Sequence, residues 1–493
     1  MICVSIGCGS HQRIINEHQR MVEQGAELVE LRLDYIRRSV NLSRILDSRP
    51  CPVVVTVRRE QDGGKWAHSE EQRLMLLRSA VAEKVEYIDL EEDIANQIPR
   101  FGDTKRIVSF HDFVKTPDDL EEIHKRMCEK DPDIVKIATM ANNPKDCMRM
   151  MDVLKNSKVP MIAICMGDMG TPTRVLCGKY DAPFTFAAFS SERTMAPGQI
   201  YFRQMVDTYN FENLNRDTDV YGVIADPVGH SMSPTVHNAS FAEKSMNKVY
   251  LPFRVPVEHL DQFIADCPKL DIKGLSVTIP HKETVMKHCT KIDGASRGIG
   301  AVNTVIFKGD EVLGYNTDYK AAMACLNKRL GGGTKTPLDG HSAMVLGAGG
   351  AARAIAFGLM RRGADTIIAN RTRTRSDTLA NELGCRSVPW ESRYEQEISV
   401  LVNATPVGMH PHVDESPYDA EFLRPNAIVF DTVYNPGQTL LYKQAKEKKC
   451  QVISGIEMFV GQAEMQFKLF TGEDPPEDMI ESRLRRAIGA ARI

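Results

Sequence analysis

No run of eighteen apolar residues occurs anywhere in this chain, so no segment reads as a membrane-spanning helix. Net charge is nearly absent too: 62 lysines and arginines against 65 aspartates and glutamates leave -3, which gives no global reason to expect nucleic acid or an anionic membrane as partner. Small molecules are the expected partners. The twelve cysteines contain no Cys-x-x-Cys pair, and several (Cys3, Cys51, Cys165) sit in strand-like runs, as reduced thiols used as small core residues do. A reducing cytoplasm is therefore expected. Met1-Ile-Cys-Val-Ser-Ile6 already reads as a strand, leaving no sign of a signal or transit peptide, and internal repeats and low-complexity tracts are missing. What the chain has is length: 493 residues exceed one ordinary core and suggest about three folding units.

Chemistry first surfaces at Val345–Ala354. A short apolar strand, Ala343 to Leu346, runs into Gly347, Gly349 and Ala352 at the G-x-G-x-x-G/A spacing, and a helical pattern follows to about Arg362. In a dinucleotide site of this kind Gly347 permits the tight turn, Gly349 lets a pyrophosphate approach the backbone, Ala352 keeps helix close to strand, and the helix N-terminus offers N–H groups to the anion. A structural glycine turn is the competing reading. The strand before and the helix after favour the dinucleotide.

Over the first two hundred residues, apolar strand candidates recur at Ile2–Gly7, Leu28–Leu33, Pro52–Val57, Tyr87–Leu90, Arg106–Phe110, Ile134–Ala138, Pro160–Cys165 and Phe184–Phe189, with amphipathic stretches between them. Eight such units match a (β/α)8 barrel, an open α/β sheet being the alternative. Barrel chemistry sits at the C-terminal ends of strands. There the sequence places Glu30-Leu-Arg32-Leu-Asp34, Thr56-Val-Arg58, Ser109-Phe-His111-Asp112 and, inside an apolar run, Lys136. A lysine buried among apolar neighbours is costly to keep charged, so its pKa should fall and leave a nucleophilic amine, with His111 one strand earlier as a base. Taken singly, His111 reads equally as a hydrogen-bonded core residue, and Glu30, Arg32 and Asp34 as a salt-bridged rim.

In combination these motifs, with Met195-Ala-Pro-Gly-Gln199, resemble the type I 3-dehydroquinate dehydratase family over residues 1 to about 206. The resemblance implies a Schiff-base dehydration. Lys136 would attack the ring ketone of 3-dehydroquinate, and His111 would take the proton alpha to the imine and return one to the departing hydroxyl, giving 3-dehydroshikimate. Arg174, in Gly170-Thr-Pro-Thr-Arg174, matches the arginine for the substrate carboxylate, and Glu30, Arg32, Arg58 and Gln199 match residues that hold ring hydroxyls and the carboxylate. Two positions depart from the family. Asp62 stands before Gly63-Gly64 where Glu is usual, and Met195 stands where bacterial members commonly have serine.

Residues 207–218 are rich in Asn and Asp with little periodicity, as a connection between domains should be. Alternating segments resume at Val220-Tyr-Gly-Val-Ile-Ala, with strand candidates at Val249–Phe253, Leu275–Ile279 and Val302–Phe307. The last pairs across Gly309-Asp310 with Glu311–Tyr315 as a hairpin. Past the glycine turn, the second strand, Thr366–Ala369, ends in Asn370-Arg371-Thr372-Arg373-Thr374-Arg375. It lacks the acidic residue that binds the ribose 2′-hydroxyl of NAD. Arginines there suit the 2′-phosphate of NADP. A solvated helix start and a nucleic-acid patch are the alternatives; the position directly after the strand favours NADP.

Ser231-Met-Ser233 opens a helix at Pro234, where hydroxyls and N–H groups suit a carboxylate, an ordinary N-cap being the other reading. Val277-Thr278-Ile-Pro-His281-Lys282 and Asn316-Thr-Asp318 place a lysine and a carboxylate just past strands, where either also reads as an exposed charge. Together with Gly300-Ala-Val-Asn303-Thr, Asn403-Ala-Thr-Pro406 and Gly461-Gln462-Ala463, these motifs are similar to shikimate dehydrogenase over residues 219 to 493. The resemblance implies NADPH-dependent reduction of 3-dehydroshikimate, with Lys282 as proton donor and Asp318 orienting it and the substrate hydroxyl. Ser231 and Ser233 would hold the carboxylate, and Thr278, Asn303, Asp318 and Gln462 the ring hydroxyls. Gly347, Gly349, Gly350 and Ala351 at the turn, with Asn370, Arg371, Thr372 and Arg375, are the expected NADP contacts. His410-Pro-His412 lacks a cysteine or carboxylate at ligand spacing, so no metal is expected.

The expected organisation is α/β. A TIM barrel (1–206) and a linker (207–218) precede a substrate lobe (219–318, completed by 456–493) and a Rossmann NADP-binding lobe (319–455). The product of the first implied reaction is the substrate of the second. A metabolite-binding regulator made of inactive copies would have lost Lys136, His111, Lys282 or Asp318, and no DNA-binding motif is evident. A quinate or shikimate dehydrogenase working with NAD is disfavoured by Ser233 and the arginine cluster.

Overall fold

The computed structural model describes residues 1–47, 49–331 and 338–490. They fall into two compact units. The first is Met1–Val220 with Pro227–Gly229 and Asn247–Asp271; the second is Tyr221–Asp226, His230–Met246 and Ile272–Ile493.

In the first unit all eight expected strands form: β1 Ile2–Ile6, β2 Leu28–Arg32, β3 Val53–Thr56, β4 Tyr87–Glu91, β5 Lys105–Asp112, β6 Ile134–Met140, β7 Met161–Met166 and β8 Thr185–Ala188. They make one sheet in the order β7-β6-β5-β4-β3-β2-β1-β8, with every neighbouring pair parallel. Cys3, Leu28, Val54, Ile107, Ile134, Ile162 and Phe186, drawn from seven of the strands, pack into a single cluster, which Tyr87 of β4 also joins. Only a sheet curled upon itself brings eight strands to one core, which gives the barrel.

Between β7 and β8 a helix, Thr173–Lys179, makes the join. The Cys165 N–H donates to Thr173 Oγ1 at 2.9 Å, and Thr185 Oγ1 donates to the Arg174 carbonyl at 2.8 Å. Residues 207–218 are tied down: Tyr209 and Phe211 are buried, and Lys179 Nζ donates to the carbonyls of Arg216 at 2.6 Å and Thr218 at 2.8 Å.

The second unit holds two sheets. In one, Asp219–Ala225, Ile272–Val277, Thr304–Lys308, Glu311–Tyr315 and Lys291–Ile292 lie side by side in that order, and the expected hairpin pairs Thr304–Lys308 antiparallel to Glu311–Tyr315. The other is all parallel, in the order Arg386–Val388, Asp365–Ala369, Ser342–Leu346, Val400–Asn403, Ile428–Asp431, Gln451–Ile453. Numbered along the chain that order is 3-2-1-4-5-6, the doubly wound dinucleotide-binding arrangement, with its switch point at the strand leading into Gly347. The helix Gly455–Thr471 returns to the first sheet, where Gln466 Oε1 accepts from Ser276 Oγ at 2.8 Å and Tyr221 Oη donates to the Phe470 carbonyl at 2.9 Å.

Candidate active sites

Alternation along β6 sends Lys136 the same way as Ile134 and Ala138, into the barrel interior. Its Nζ donates to Asp89 Oδ2 at 2.9 Å and stands 3.9 Å from the centre of the Phe186 ring. The expectation for Lys136 weighed burial alone and missed this counter-ion. The available signal was the Tyr-Ile-Asp-Leu-Glu alternation of β4, which places Asp89 and Glu91 on the same face as Tyr87.

Asp89 also accepts from Ser109 Oγ at 2.6 Å and pairs with the Arg58 guanidinium at 2.9 Å. Burial pushes its carboxyl up, but Arg58, Lys136, His111 and the Ser109 bond together hold it well below the usual carboxylate range. His111, at the end of β5, is held low as well, and for an imidazole burial acts in that same direction. Burial, then the Arg58 and Lys136 cations, hold it well below its ordinary value, so the ring is neutral and able to accept a proton.

Around this pair, Glu30 accepts from Ser5 Oγ at 2.6 Å and Thr56 Oγ1 at 2.9 Å, while Arg32 grips Asp34 through Nε at 2.9 Å and a second bond at 2.8 Å. The rim ion pair read from the sequence is thus present between Arg32 and Asp34. Arg58 donates to Glu91 Oε1 and Ser109 Oγ, each at 3.0 Å. Arg174 differs from these: it is 2% exposed, donates to the Pro197 carbonyl at 3.0 Å, and leaves Nε without a partner. Burial pushes it down to about 10, and among the described residues no carboxylate pairs with it. A buried guanidinium without a counter-ion is suited to an anionic ligand. All seven barrel residues singled out from the sequence line one open cleft of about 550 Å³ at the C-terminal ends of the strands.

Both departures from the family pattern have a local structure. Asp62 lines the cleft with its carboxylate on Arg59 Nε at 2.5 Å. Met195 keeps a hold on Gln199, whose Oε1 accepts the Met195 N–H at 2.8 Å, and its side chain covers Gly7, where a Cβ would come within 2.2 Å of Met195 Cε.

In the second unit Lys282 Nζ donates to Asp318 Oδ2 at 2.6 Å, with side chains 13% and 8% exposed. Asp318 lies in the first turn of the helix Thr317–Arg329, which Asn316 caps by accepting the Tyr319 N–H, and a carboxylate is favoured at that end. The stem of Lys282 rests on the glycine turn: a Cβ on Gly350 would come within 2.7 Å of Lys282 Cδ. Asn303 Oδ1 accepts from Thr304 Oγ1 and the Thr317 N–H, both at 2.8 Å, and its Nδ2 donates to Thr317 Oγ1 at 2.9 Å. It fixes the start of the helix that carries Asp318 and keeps one amide N–H for a ligand.

Gln466, one turn beyond the expected Gln462, escaped the sequence reading. It is buried, and its Nε2 donates to Thr304 Oγ1 at 3.0 Å. Ser231 Oγ accepts the Ser233 N–H at 3.3 Å, and Thr278 and Gln462 are partly exposed. Among the described residues, no hydrogen bond joins Ser231, Ser233, Thr278 or Gln462 to the Lys282–Asp318 pair.

The dinucleotide turn has φ +114° at Gly347, where a Cβ would also come within 2.7 Å of the Ala404 carbonyl oxygen, so only glycine fits. Gly349 caps the helix Gly350–Arg361 without a side chain, leaving its first N–H groups to a ligand, and Ala351 lies in that first turn. After the second strand, Asn370 Nδ2 donates to the Thr372 carbonyl at 2.9 Å. Arg373 is occupied by Asp377 at 2.8 Å, whereas Arg371 and Arg375 are exposed and make no ion pair among the described residues. Two uncommitted guanidinium groups there fit a cofactor with an extra phosphate on its ribose. Behind the turn, Asp431 accepts from Asn403 Nδ2 at 2.9 Å and Thr439 Oγ1 at 2.5 Å, and burial pushes its carboxyl up to about 6 against those bonds. His412 pairs with Glu415 at 3.0 Å; among the described residues no group of three potential ligands forms a metal site.

The family described as Type I 3-dehydroquinase matches residues 2–216, the shikimate dehydrogenase substrate binding domain matches 223–305, and the shikimate 5′-dehydrogenase C-terminal domain matches 455–485. A bifunctional 3-dehydroquinate dehydratase/shikimate dehydrogenase of Arabidopsis thaliana, described as chloroplastic, is 35% identical over 97% of this chain and 83% of its own length. A crystal structure of a shikimate dehydrogenase with NADP+ is 36% identical over 56% of this chain and 97% of that one, with a TM-score of 0.52. One from Thermus thermophilus, solved with NADP(H) and shikimate, is 34% identical over 55% of this chain and 100% of that one, with a TM-score of 0.49. The chloroplastic relative overturns the expectation of a cytoplasmic protein. Reduced cysteines and balanced charge describe any reducing aqueous compartment and do not single out the cytoplasm. No described helix is long and apolar enough to cross a membrane.

Proposed function

The chain belongs to the bifunctional 3-dehydroquinate dehydratase/shikimate dehydrogenase family, and on that premise we propose that Lys136 with His111 runs its first reaction and Lys282 with Asp318 its second. It dehydrates 3-dehydroquinate and reduces the product to shikimate with NADPH. We assign residues 1–206 to the dehydratase and 207–218 to the connection. Residues 219–318 with 456–493 form the substrate lobe, and 319–455 the NADP lobe.

In the barrel, Lys136 forms an imine with the ring ketone of 3-dehydroquinate, and the iminium accepts the electron pair when His111 removes the adjacent proton. His111 then protonates the leaving hydroxyl, water departs, and hydrolysis frees 3-dehydroshikimate and Lys136. Arg174 takes the substrate carboxylate, and Glu30, Arg32, Arg58 and Gln199 hold the rest of the ring. The observation that carries this reading is the cleft that gathers the Lys136 amine, the neutral His111 ring and the unpaired Arg174 guanidinium in about 550 Å³.

When bound, NADPH supplies a hydride; the glycine turn, Asn370, Arg371, Thr372 and Arg375 hold it. Lys282 gives a proton to the carbonyl oxygen of 3-dehydroshikimate, and Asp318 keeps that ammonium in place and binds a ring hydroxyl. Ser231 and Ser233 take the carboxylate, and Thr278, Asn303 and Gln462 the remaining hydroxyls.

The test is a coupled assay of 3-dehydroquinate with NADPH, followed to shikimate. Lys136→Ala should abolish dehydration, on the order of 10⁴-fold, while still reducing added 3-dehydroshikimate. Lys282→Ala should accumulate 3-dehydroshikimate. A Lys136→Ala variant that still dehydrates overturns the assignment.

A further inference from the structure

Arg73 is the largest side chain buried without any exposure in the barrel unit, and the chemistry above does not use it. It lies on the helix Glu70–Ala82, whose start Ser69 and Gln72 fix with a reciprocal capping box. From there the guanidinium reaches inward. One nitrogen donates to Glu91 Oε2 at 2.7 Å and to the Val57 carbonyl at 2.9 Å, while Nε and the other nitrogen take Glu70 at 2.8 and 2.7 Å. The second oxygen of Glu91 accepts from Arg58 at 3.0 Å, Arg58 also pairs with Asp89 at 2.9 Å, and Asp89 holds Lys136 at 2.9 Å.

The charges therefore alternate in one unbroken line: Glu70, Arg73, Glu91, Arg58, Asp89, Lys136. Every member beyond Glu70 has a side chain no more than 7% exposed, so each depends on its neighbours for compensation. Arg58 stands between two carboxylates. With Arg73 in place Glu91 is shared, and Arg58 divides its donors between Glu91 and Asp89. Without the Arg73 charge, Glu91 has Arg58 as its one remaining cation among these partners and draws it away from Asp89.

We propose that Arg73 is a positioning residue for the dehydratase: by neutralising Glu91 it keeps the Arg58 guanidinium on Asp89 and so sets the counter-ion of Lys136 and the cation beside His111. This rests on the reading of Lys136 as the imine-forming amine. It separates charge from mere packing, because two buried groups lost together cost at least as much as one when packing alone matters, whereas a charge mismatch removed in both partners is relieved.

The experiment measures dehydration of 3-dehydroquinate by Arg73→Gln, Arg73→Lys and the double variant Arg73→Gln/Glu91→Gln in the full chain. Reduction of 3-dehydroshikimate by the same preparations is the internal control. Arg73→Gln should lower the dehydratase kcat on the order of 10-fold or more with a smaller change in KM, and leave the reductase unchanged. Arg73→Lys should retain most of the activity, and the double variant should recover part of what Arg73→Gln loses. A double variant no better than Arg73→Gln, or Arg73→Lys as impaired as Arg73→Gln, overturns the inference. Borohydride trapping of the wild type with 3-dehydroquinate guards the premise. If no adduct forms on Lys136, the reading beneath falls; if it forms and the variants behave as packing losses, only the role of Arg73 falls.

Discussion

The Lys136 amine and the Asp89 carboxylate stand 2.9 Å apart although they come from strands, β6 and β4, that do not pair. Inward side chains of alternate strands share a layer in such a barrel, so the strand between them, β5, contributes its groups alongside. Ser109 of β5 bonds Asp89 from that intervening strand, and His111 follows one step further along the same face. The imidazole thus meets three cations, Arg58, Lys136 and Arg32, and one buried anion, Asp89.

That balance predicts the acid limb of dehydration. Burial and the three cations hold His111 well below 6.5, so the base stays unprotonated as pH falls from neutrality through 6.5, and kcat/KM should decline only at lower pH. A pH profile of the dehydratase with a limb at 6.5 or above would contradict this placement of the charges.

Gly350 offers a test in the reductase. Its α-carbon faces the Lys282 stem so closely that a methyl would lie 2.7 Å from Cδ, so the stem or the turn must shift, which should disturb the bond from Lys282 to Asp318. Gly350→Ala should lower kcat for 3-dehydroshikimate reduction about 10-fold or more, and raise the KM for NADPH less. Steady-state kinetics with both substrates varied decides it; an effect confined to the cofactor KM counts against the contact.

Three arginines follow the second strand of the NADP lobe, and only Arg371 and Arg375 are free of ion pairs among the described residues. Replacing both with glutamine should raise the KM for NADPH at least 10-fold while leaving that for NADH nearly unchanged. Arg373→Gln, which breaks the pair with Asp377 instead, should disturb both cofactors little. Equal losses with NADPH and NADH in the double variant would remove the 2′-phosphate assignment.

Asp431 predicts a dependence of stability on pH opposite to that of a salt-bridged carboxylate. Its value is raised from 3.8 to about 6, so the folded chain holds a proton there that the unfolded chain releases. The resulting stabilisation is complete below 3.8 and is lost as pH rises through 6, with a slope up to about 1.4 kcal/mol per pH unit. Urea denaturation of the wild type and Asp431→Asn between pH 4 and 7 should converge or cross toward neutral pH; parallel curves would rule the buried proton out.

The barrel was legible because its apolar runs are short, numerous and separated by amphipathic stretches, and Lys136 because it interrupts one of them. Asp89 was legible only in part: the alternation of β4 groups it with Tyr87 and Glu91, but nothing in one strand's composition says which face is inward until the register with β5 and β6 is known. Asn303 read as a ligand contact, yet much of its hydrogen bonding goes to Thr304 and Thr317, a demand that arises only when the hairpin meets the helix start. The free state of Arg371 and Arg375 likewise depends on Arg373 finding Asp377 one helical turn away. Compartment was misread for a different reason, as surface composition answers to solvent and redox conditions and carries no address.

The helix Thr173–Lys179, which spans the gap between β7 and β8, also carries Arg174. The seam of the barrel and the residue proposed to take the substrate carboxylate therefore share one short helix. On the proposed role of Arg174, opening that seam should move the guanidinium relative to the cleft, and a carboxylate seated on it should hold the seam closed. Amide protons along β7 and β8 should accordingly exchange more slowly when a substrate-like carboxylate is bound, making ligand occupancy a brake on the breathing of the fold itself.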